Sequence, residues 1–206
     1  MDIWFATNNA HKKAELEAVL NTSLKIPSDY GIEFDPEETG KTFLENALLK
    51  ARELKKIIES KDKSASGSPV IADDSGLCVD ALGGRPGIFS ARYGSVNGKK
   101  LSSSERNNLL LDELKDNPLR SARFVCSMAL LLDDDRFFIA QETFEGEIVK
   151  SIEFAKGEGG FGYDPVLYIP QLKRTVAQLS AEEKNIYSHR GKAGKHIAAL
   201  LENIIK

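Results

Sequence analysis

Apolar and polar positions follow two periods along the chain, and each change of period marks an element. Residues 3–6 (IWFA) are an apolar run, residues 7–12 are polar, and Leu16, Val19 and Leu20 then fall at helical spacing. This predicts a strand, a loop and a helix. Thr42 and Glu45 have the spacing of a capping box, and Phe43, Ala47, Ala51, Leu54 and Ile58 continue from it on one helical face. Residues 60–68, rich in Lys, Ser and Gly, read as a surface loop. Residues 70–72 then form a short strand that delivers Asp73 and Asp74 at its C-terminal edge.

Further along, Ser102 and Glu105 repeat the box ahead of a helix through Leu109, Leu110 and Leu114, which Asn117-Pro118 ends. Residues 124–132, 137–144 and 147–154 read as strands of an antiparallel meander, broken by DDD and by Glu145-Gly146, and residues 166–169 add another. Ser180 and Glu183 form a third box, and Ala193, Ile197, Leu200, Leu201 and Ile204 mark a C-terminal amphipathic helix. Helices interleaved with a mixed sheet predict an α/β fold without internal repeats. The expectation is one domain over residues 1–206, an elongated mixed central sheet flanked by helices, with two lobes and a cleft between them.

Composition narrows the partners. A net charge of −3 gives no basic face for nucleic acid or an anionic membrane. Neither an export signal nor an apolar run long enough for a bilayer is seen. Cys78 and Cys126 are far apart and lack metal-ligand spacing, which fits reduced thiols in a cytoplasmic protein.

Adjacent carboxylates after an apolar run need an explanation, because neither can be buried unpaired without a large desolvation penalty. Asp73 and Asp74 are either a turn cap and a solvated acid, or a magnesium site completed by waters and substrate phosphate oxygens. Glu37 and Glu38 in DPEETG offer a second carboxylate or are a solvated acidic loop. Residues 7–12 present a hydroxyl, two amides and an ammonium at a helix N-terminus, which suits phosphate as well as an ordinary cap. Gly157, Gly159 and Gly162 match G-x-G-x-x-G, but a strand pattern rather than a helix follows, so a dinucleotide fold is excluded. The same glycines make a flexible loop that displays Phe161, Tyr163 and Asp164. Lys184, His189 and Arg190 add cations and ring nitrogens. Together these are the parts needed to handle a nucleoside triphosphate.

Five ordered segments carry a resemblance over almost the full length: ATNNAHKKAEL (6–16), EETGKTFLENALLKA (37–51), ADDSGLCVDALGGRPGIFSARY (72–93), GGFGYDP (159–165) and SAEEKNIYSHRGKA (180–193). They resemble the inosine triphosphate pyrophosphatase family, the XTP/dITP diphosphatases. The resemblance implies an enzyme that hydrolyses ITP, dITP and XTP to the monophosphate and pyrophosphate with a divalent ion, usually Mg2+, as a homodimer. It makes Thr7, Asn8, Asn9, Ala10, His11 and Lys12 a phosphate and ribose loop. Asp74 becomes the metal-linked general base, with Asp73 and Glu38 as further metal carboxylates and Ser75 as a substrate contact. Phe161, Gly162, Tyr163 and Asp164 become the base-facing loop, and Lys184, His189 and Arg190 the remaining pocket donors.

Selectivity then has a physical basis. Hypoxanthine and xanthine present an O6 acceptor where adenine presents an amino donor, and Lys184 and Arg190 carry only donors. Arg190 is expected to donate to O6 and Phe161 to stack on the purine. The alternatives are a non-catalytic nucleotide sensor and a pyrophosphatase for another modified nucleotide.

Overall fold

Six strands pair in chain order: β1 (Trp4–Phe5), β2 (Val70–Val79), β3 (Ser121–Leu131), β4 (Phe137–Ile148), β5 (Leu167–Ile169) and β6 (Arg174–Thr175). The structure is a computed structural model and describes residues 2–96 and 98–204. Trp4 lies opposite Val70 and Phe5 opposite Ile71 in a parallel β1–β2 pair. Parallel neighbours need a crossover, which α1 (Ala10–Leu20) and α2 (Phe43–Lys61) supply. β4, β5 and β6 run antiparallel, with Glu147 opposite Tyr168 and Ile169 opposite Arg174. The remaining helices are α3 (Ser103–Leu114), α4 (Ala181–Tyr187) and α5 (His189–Ile204). The expected α/β class with a mixed sheet is the one observed. Among the described residues no helix is long and apolar enough to cross a membrane.

The chain divides into two compact units, Met1–Asp74 with Cys126–Glu142 and His189–Lys206, and Ser75–Val125 with Thr143–Ser188. The first unit has two apolar clusters. Phe5 and Ile71 join Leu16, Cys126, Met128 and Ile197 in one, while Trp4, Val70 and Ala72 join Ala47, Ala51, Leu54 and Leu131 in the other. Successive strand residues face opposite sides, so this split is the period-two pattern made visible. The second unit packs Leu77, Val79, Leu110, Leu114, Phe124, Phe144, Val166 and Leu167 into one cluster.

The boxes at Ser102–Glu105 and Ser180–Glu183 are complete. The Thr42 box is one-sided, because the Glu45 carboxylate accepts from the Lys41 N–H at 2.5 Å instead of from Thr42. Three further expectations are corrected. β2 does not stop before Asp73; its apolar alternation resumes at Leu77 and Val79, so both aspartates lie inside the strand. β4 runs through Glu145-Gly146 without a turn, because a Cβ at Gly146 would stand 2.5 Å from the Tyr168 carbonyl oxygen, and the glycine serves close approach to β5. The segment at 60–68 is not all loop. α2 continues to Lys61 and a 3-10 turn covers Lys63–Gly67, with Lys55 Nζ donating to the Ser68 carbonyl at 2.8 Å.

Candidate active site

The period of β2 resolves the paired carboxylates. Asp73 faces the same side as Ile71, and Asp74 the same side as Ala72, so the two point to opposite faces of the sheet. Each meets its own cations there. Lys12 Nζ, from the first turns of α1, donates to Asp73 Oδ1 at 3.0 Å. Arg190, from the start of α5, donates to Asp73 Oδ2 through Nε at 3.2 Å and Nη2 at 3.0 Å. Its Nη1 reaches Glu15 Oε2 at 2.6 Å, and the Cys126 thiol lies 3.9 Å from Asp73 Oδ2. On the other face Lys50 Nζ, from α2, donates to Asp74 Oδ1 at 3.0 Å and to Glu38 Oε1 at 2.8 Å. Asn46, one turn before Lys50, donates to Asp74 Oδ2 at 3.2 Å, and its Oδ1 accepts from Gly40 N–H at 2.8 Å, holding the acidic loop in place.

These environments push the two acids apart. Burial raises the Asp73 carboxyl, but the charges of Lys12, Arg190 and Lys50 outweigh it and hold the group well below the usual carboxylate range. Asp74 goes up instead, through burial and the neighbouring Glu38 charge, against the pull of Lys50. Burial lowers Lys50, yet the charges of Asp74, Asp73 and Glu38 overcome that and raise it. Burial and the charges of Arg190 and Lys50 bring Lys12 down, and burial pushes the Cys126 thiol up to about 12, away from the thiolate form. Adjacent acids with opposite shifts are the pattern expected of one structural and one chemically active carboxylate.

The loop at 7–12 is more self-contained than its composition suggests. Asn9 caps α1 and accepts from the N–H groups of His11 and Lys12 at 2.9 and 3.2 Å. Thr7 Oγ1 accepts from the Asn9 N–H at 3.1 Å, and Asn8 Nδ2 donates to the Phe34 carbonyl at 2.6 Å. Ala10 opens the helix and is exposed, as is His11. Two of the backbone donors expected to meet phosphate are therefore used by the cap. Ser75 follows Asp74 in β2, half-buried.

The second unit holds the glycine loop. Phe161 N–H donates to Asp164 Oδ2 at 2.9 Å, and Lys184 Nζ, from α4, donates to the same oxygen at 2.8 Å. Lys184 also stands over the Phe161 ring, 4.9 Å from its centroid. A Cβ at Gly160 would lie 2.0 Å from Asp164 Oδ2, so only glycine lets the backbone pass this close. Gly162 is half-buried, and after it the chain turns into β5 rather than a helix, as the exclusion of a dinucleotide fold requires.

The structure bears on four of the expected residues. Tyr163 is not displayed: it is 4% exposed, packs in the core, and its hydroxyl donates to the Ser90 carbonyl at 3.0 Å. Arg190 is committed to Asp73 and Glu15 and is 2% exposed, which puts its guanidinium among the acids rather than against a base edge. His189, expected as a pocket donor, is buried at the first position of α5. Asp73 is paired on its two oxygens with Lys12 and Arg190, whereas Asp74 and Glu38 share one ammonium, that of Lys50. Among the described residues no three His, Cys, Asp or Glu side chains converge as a ready-made metal cage.

Sequence reasoning missed Glu15, Asn46 and Lys50. The signal for the last two was polar residues at helical spacing on the margin of an apolar stripe: Asn46 precedes Ala47 and Lys50 precedes Ala51, both of which are fully buried.

The Ham1 family model matches residues 3–200 of the chain. The dITP/XTP pyrophosphatase of Treponema denticola is 50% identical over 194 residues, 94% of each chain. That of Thermus thermophilus is 43% identical over 207 residues, covering 98% of this chain and 91% of the relative. The structure of the Staphylococcus aureus Ham1 protein is similar with a TM-score of 0.83 at 39% identity, over 98% of this chain and 99% of that one.

Proposed function

The chain belongs to the Ham1 family, and on that premise we propose that it hydrolyses non-canonical purine nucleoside triphosphates, dITP, ITP and XTP, to the monophosphate and pyrophosphate. The observation that carries the reading is the pair of carboxylates on Lys50: Asp74 Oδ1 and Glu38 Oε1 lie 3.0 and 2.8 Å from one ammonium. Two carboxylate oxygens already converging on a cation are the donor set that a hard dication takes, completed by water and phosphate oxygens. Asp74 and Glu38 would hold a magnesium ion, which when bound neutralises phosphate charge and makes phosphorus more electrophilic.

The chain's own residues do the rest. Asp74, raised by its burial and by Glu38, accepts the proton of the attacking water, since a base works best when its pKa approaches the working pH. Lys50 turns from the carboxylates to the triphosphate oxygens, and Lys12 stabilises charge on the departing pyrophosphate. Asp73, kept ionised by Lys12 and Arg190, fixes those cations. In the second unit the purine stacks on Phe161, and Lys184, oriented by Asp164, donates to O6. Adenine would set its amino donors against that ammonium. Residues 1–206 act as one domain in this reading, with Ser75, Thr7 and Asn8 as substrate contacts, as a cytoplasmic homodimer.

The test is a panel of dITP, XTP, ITP, ATP and GTP with magnesium, the products followed by phosphorus NMR. Turnover of the first three with one pyrophosphate per monophosphate, abolished by chelator, is expected. Release of orthophosphate, or ATP turned over as fast as ITP, would reject the reading.

A further inference from the structure

Asn107 stands out among the buried polar residues of the second unit. It lies on α3 at 4% exposure, on the face that carries Leu110, Leu111 and Leu114 into the apolar core. Its Nδ2 donates to the Gly162 carbonyl at 3.2 Å, while its Oδ1 has no hydrogen-bond partner among the described residues. A buried acceptor left unmade is destabilising, and a leucine, which has the same branched outline, would extend the stripe without that penalty. The position therefore gives up stability for the one bond it makes.

That bond reaches a segment whose other bonds near Phe161 are local, Phe161 N–H to Asp164 Oδ2 at 2.9 Å and Asp164 N–H to the Phe161 carbonyl at 3.3 Å, beside the Lys184–Asp164 pair. A cavity of about 440 Å³ lies against the loop, lined by Ser103, Ser104 and Asn107 of α3 on one side and Gly157, Gly160 and Phe161 on another. Packing cannot fix a backbone that borders open space, so hydrogen bonds must. Gly159 N–H to the Ala177 carbonyl at 3.1 Å secures the start of the loop, and Tyr163 Oη to the Ser90 carbonyl at 3.0 Å secures its end. Asn107 holds the carbonyl between them, next to Phe161.

We propose that Asn107 is a positioning residue for substrate choice: it latches the Gly162 carbonyl to α3 so that Phe161 and Asp164 meet the purine in one conformation. The inference rests on the reading of this loop as the base-facing one. It touches no substrate itself, and its effect passes through the loop.

The experiment pairs Asn107→Leu and Asn107→Asp with Phe161→Ala as a control on the loop's role. Asn107→Leu removes the latch and the orphan acceptor together, and Asn107→Asp keeps the shape but sets an acceptor against the carbonyl. Both are expected to raise KM for ITP about tenfold with kcat changed less than about twofold, the pattern of lost ground-state positioning. Amide exchange at residues 160–164 should quicken about tenfold without nucleotide, and the Tm of Asn107→Leu should equal or exceed that of the wild type. If Phe161→Ala raises KM while both Asn107 variants match the wild type, the latch is wrong and the loop reading stands. If Phe161→Ala leaves KM unchanged, the loop reading itself fails. Loss of folding in both variants, or a fall in Tm with unchanged exchange in the loop, would make Asn107 a core residue only and overturn the proposal.

Discussion

Asp73 and Asp74 in the first unit are gripped from α1, α2 and α5 by charged side chains whose own positions are set by helices, whereas the 157–164 loop in the second unit borders a cavity and hangs on separate hydrogen bonds. The contrast follows from what each must do. Proton transfer and charge stabilisation depend steeply on distance, so the groups that perform them are best placed on strands and helices. On the proposed reading, a loop that must accept hypoxanthine and xanthine while refusing adenine needs its donors in one place, and hydrogen bonds rather than packing put them there. On that reading chemistry belongs to the rigid unit and substrate choice to the loop of the other.

The largest break in this division comes from Asp74. Asp74→Asn should lower kcat by about a thousandfold, the range of a lost general base, and by the same factor for ITP and XTP because the rigid unit does not read the base. In the protein without metal, Asp74 should take up its proton at a pH above its ordinary value of 3.8, because burial raises this group. Uptake at or below that value, or different losses on the two nucleotides, would count against the assignment. Carbon-13 NMR of the carboxylates against pH and steady-state kinetics of the variant check both.

A smaller effect, on stability, should follow from Lys50→Gln. Lys50 is 10% exposed at its side chain and serves two carboxylates, so its loss should destabilise the fold by about 3 kcal/mol at pH 7. Its folded pKa is raised, so the contribution is fully present below the unfolded value of 10.5 and fades only as pH rises through the folded one. Without the ammonium, Asp74 moves further up, and the variant should recover part of the loss as pH falls and that acid protonates. Denaturant melts of both proteins at pH 7 and pH 5 read this out; equal losses at the two values would mean that the ammonium does not hold these acids.

Much of this arrangement was legible from residue order. The boxes at Ser102 and Ser180 are local chemistry, and the segments around Asp73, Gly159 and Lys184 carried the family resemblance before any fold was known. What escaped was decided by tertiary context. Gly146 looked like a turn because glycine has no side chain to report the neighbouring strand it makes room for. Asn46, Lys50 and Asn107 were hidden because each is a polar residue at the border of an apolar stripe, where pattern alone does not separate a solvated flank from a buried ligand. Arg190 was assigned by its donors, but burial beside Asp73 uses them. The opposite facing of Asp73 and Asp74 was readable in principle from the strand period, once the strand is known to run past them.

The most direct test of the division between the units is the ratio of kcat/KM for ITP to that for ATP, measured in Lys184→Met and in Arg190→Lys. Lys184→Met removes the donor proposed for O6 and should shrink the ratio about tenfold, as expected for one lost bond to a charged donor. Arg190→Lys disturbs the Asp73 pair, and should lower both activities while leaving the ratio within about twofold, because the Asp73 it holds is assigned to the chemistry and not to the base. A ratio that collapses in Arg190→Lys and survives in Lys184→Met would contradict the account and return base reading to the rigid unit.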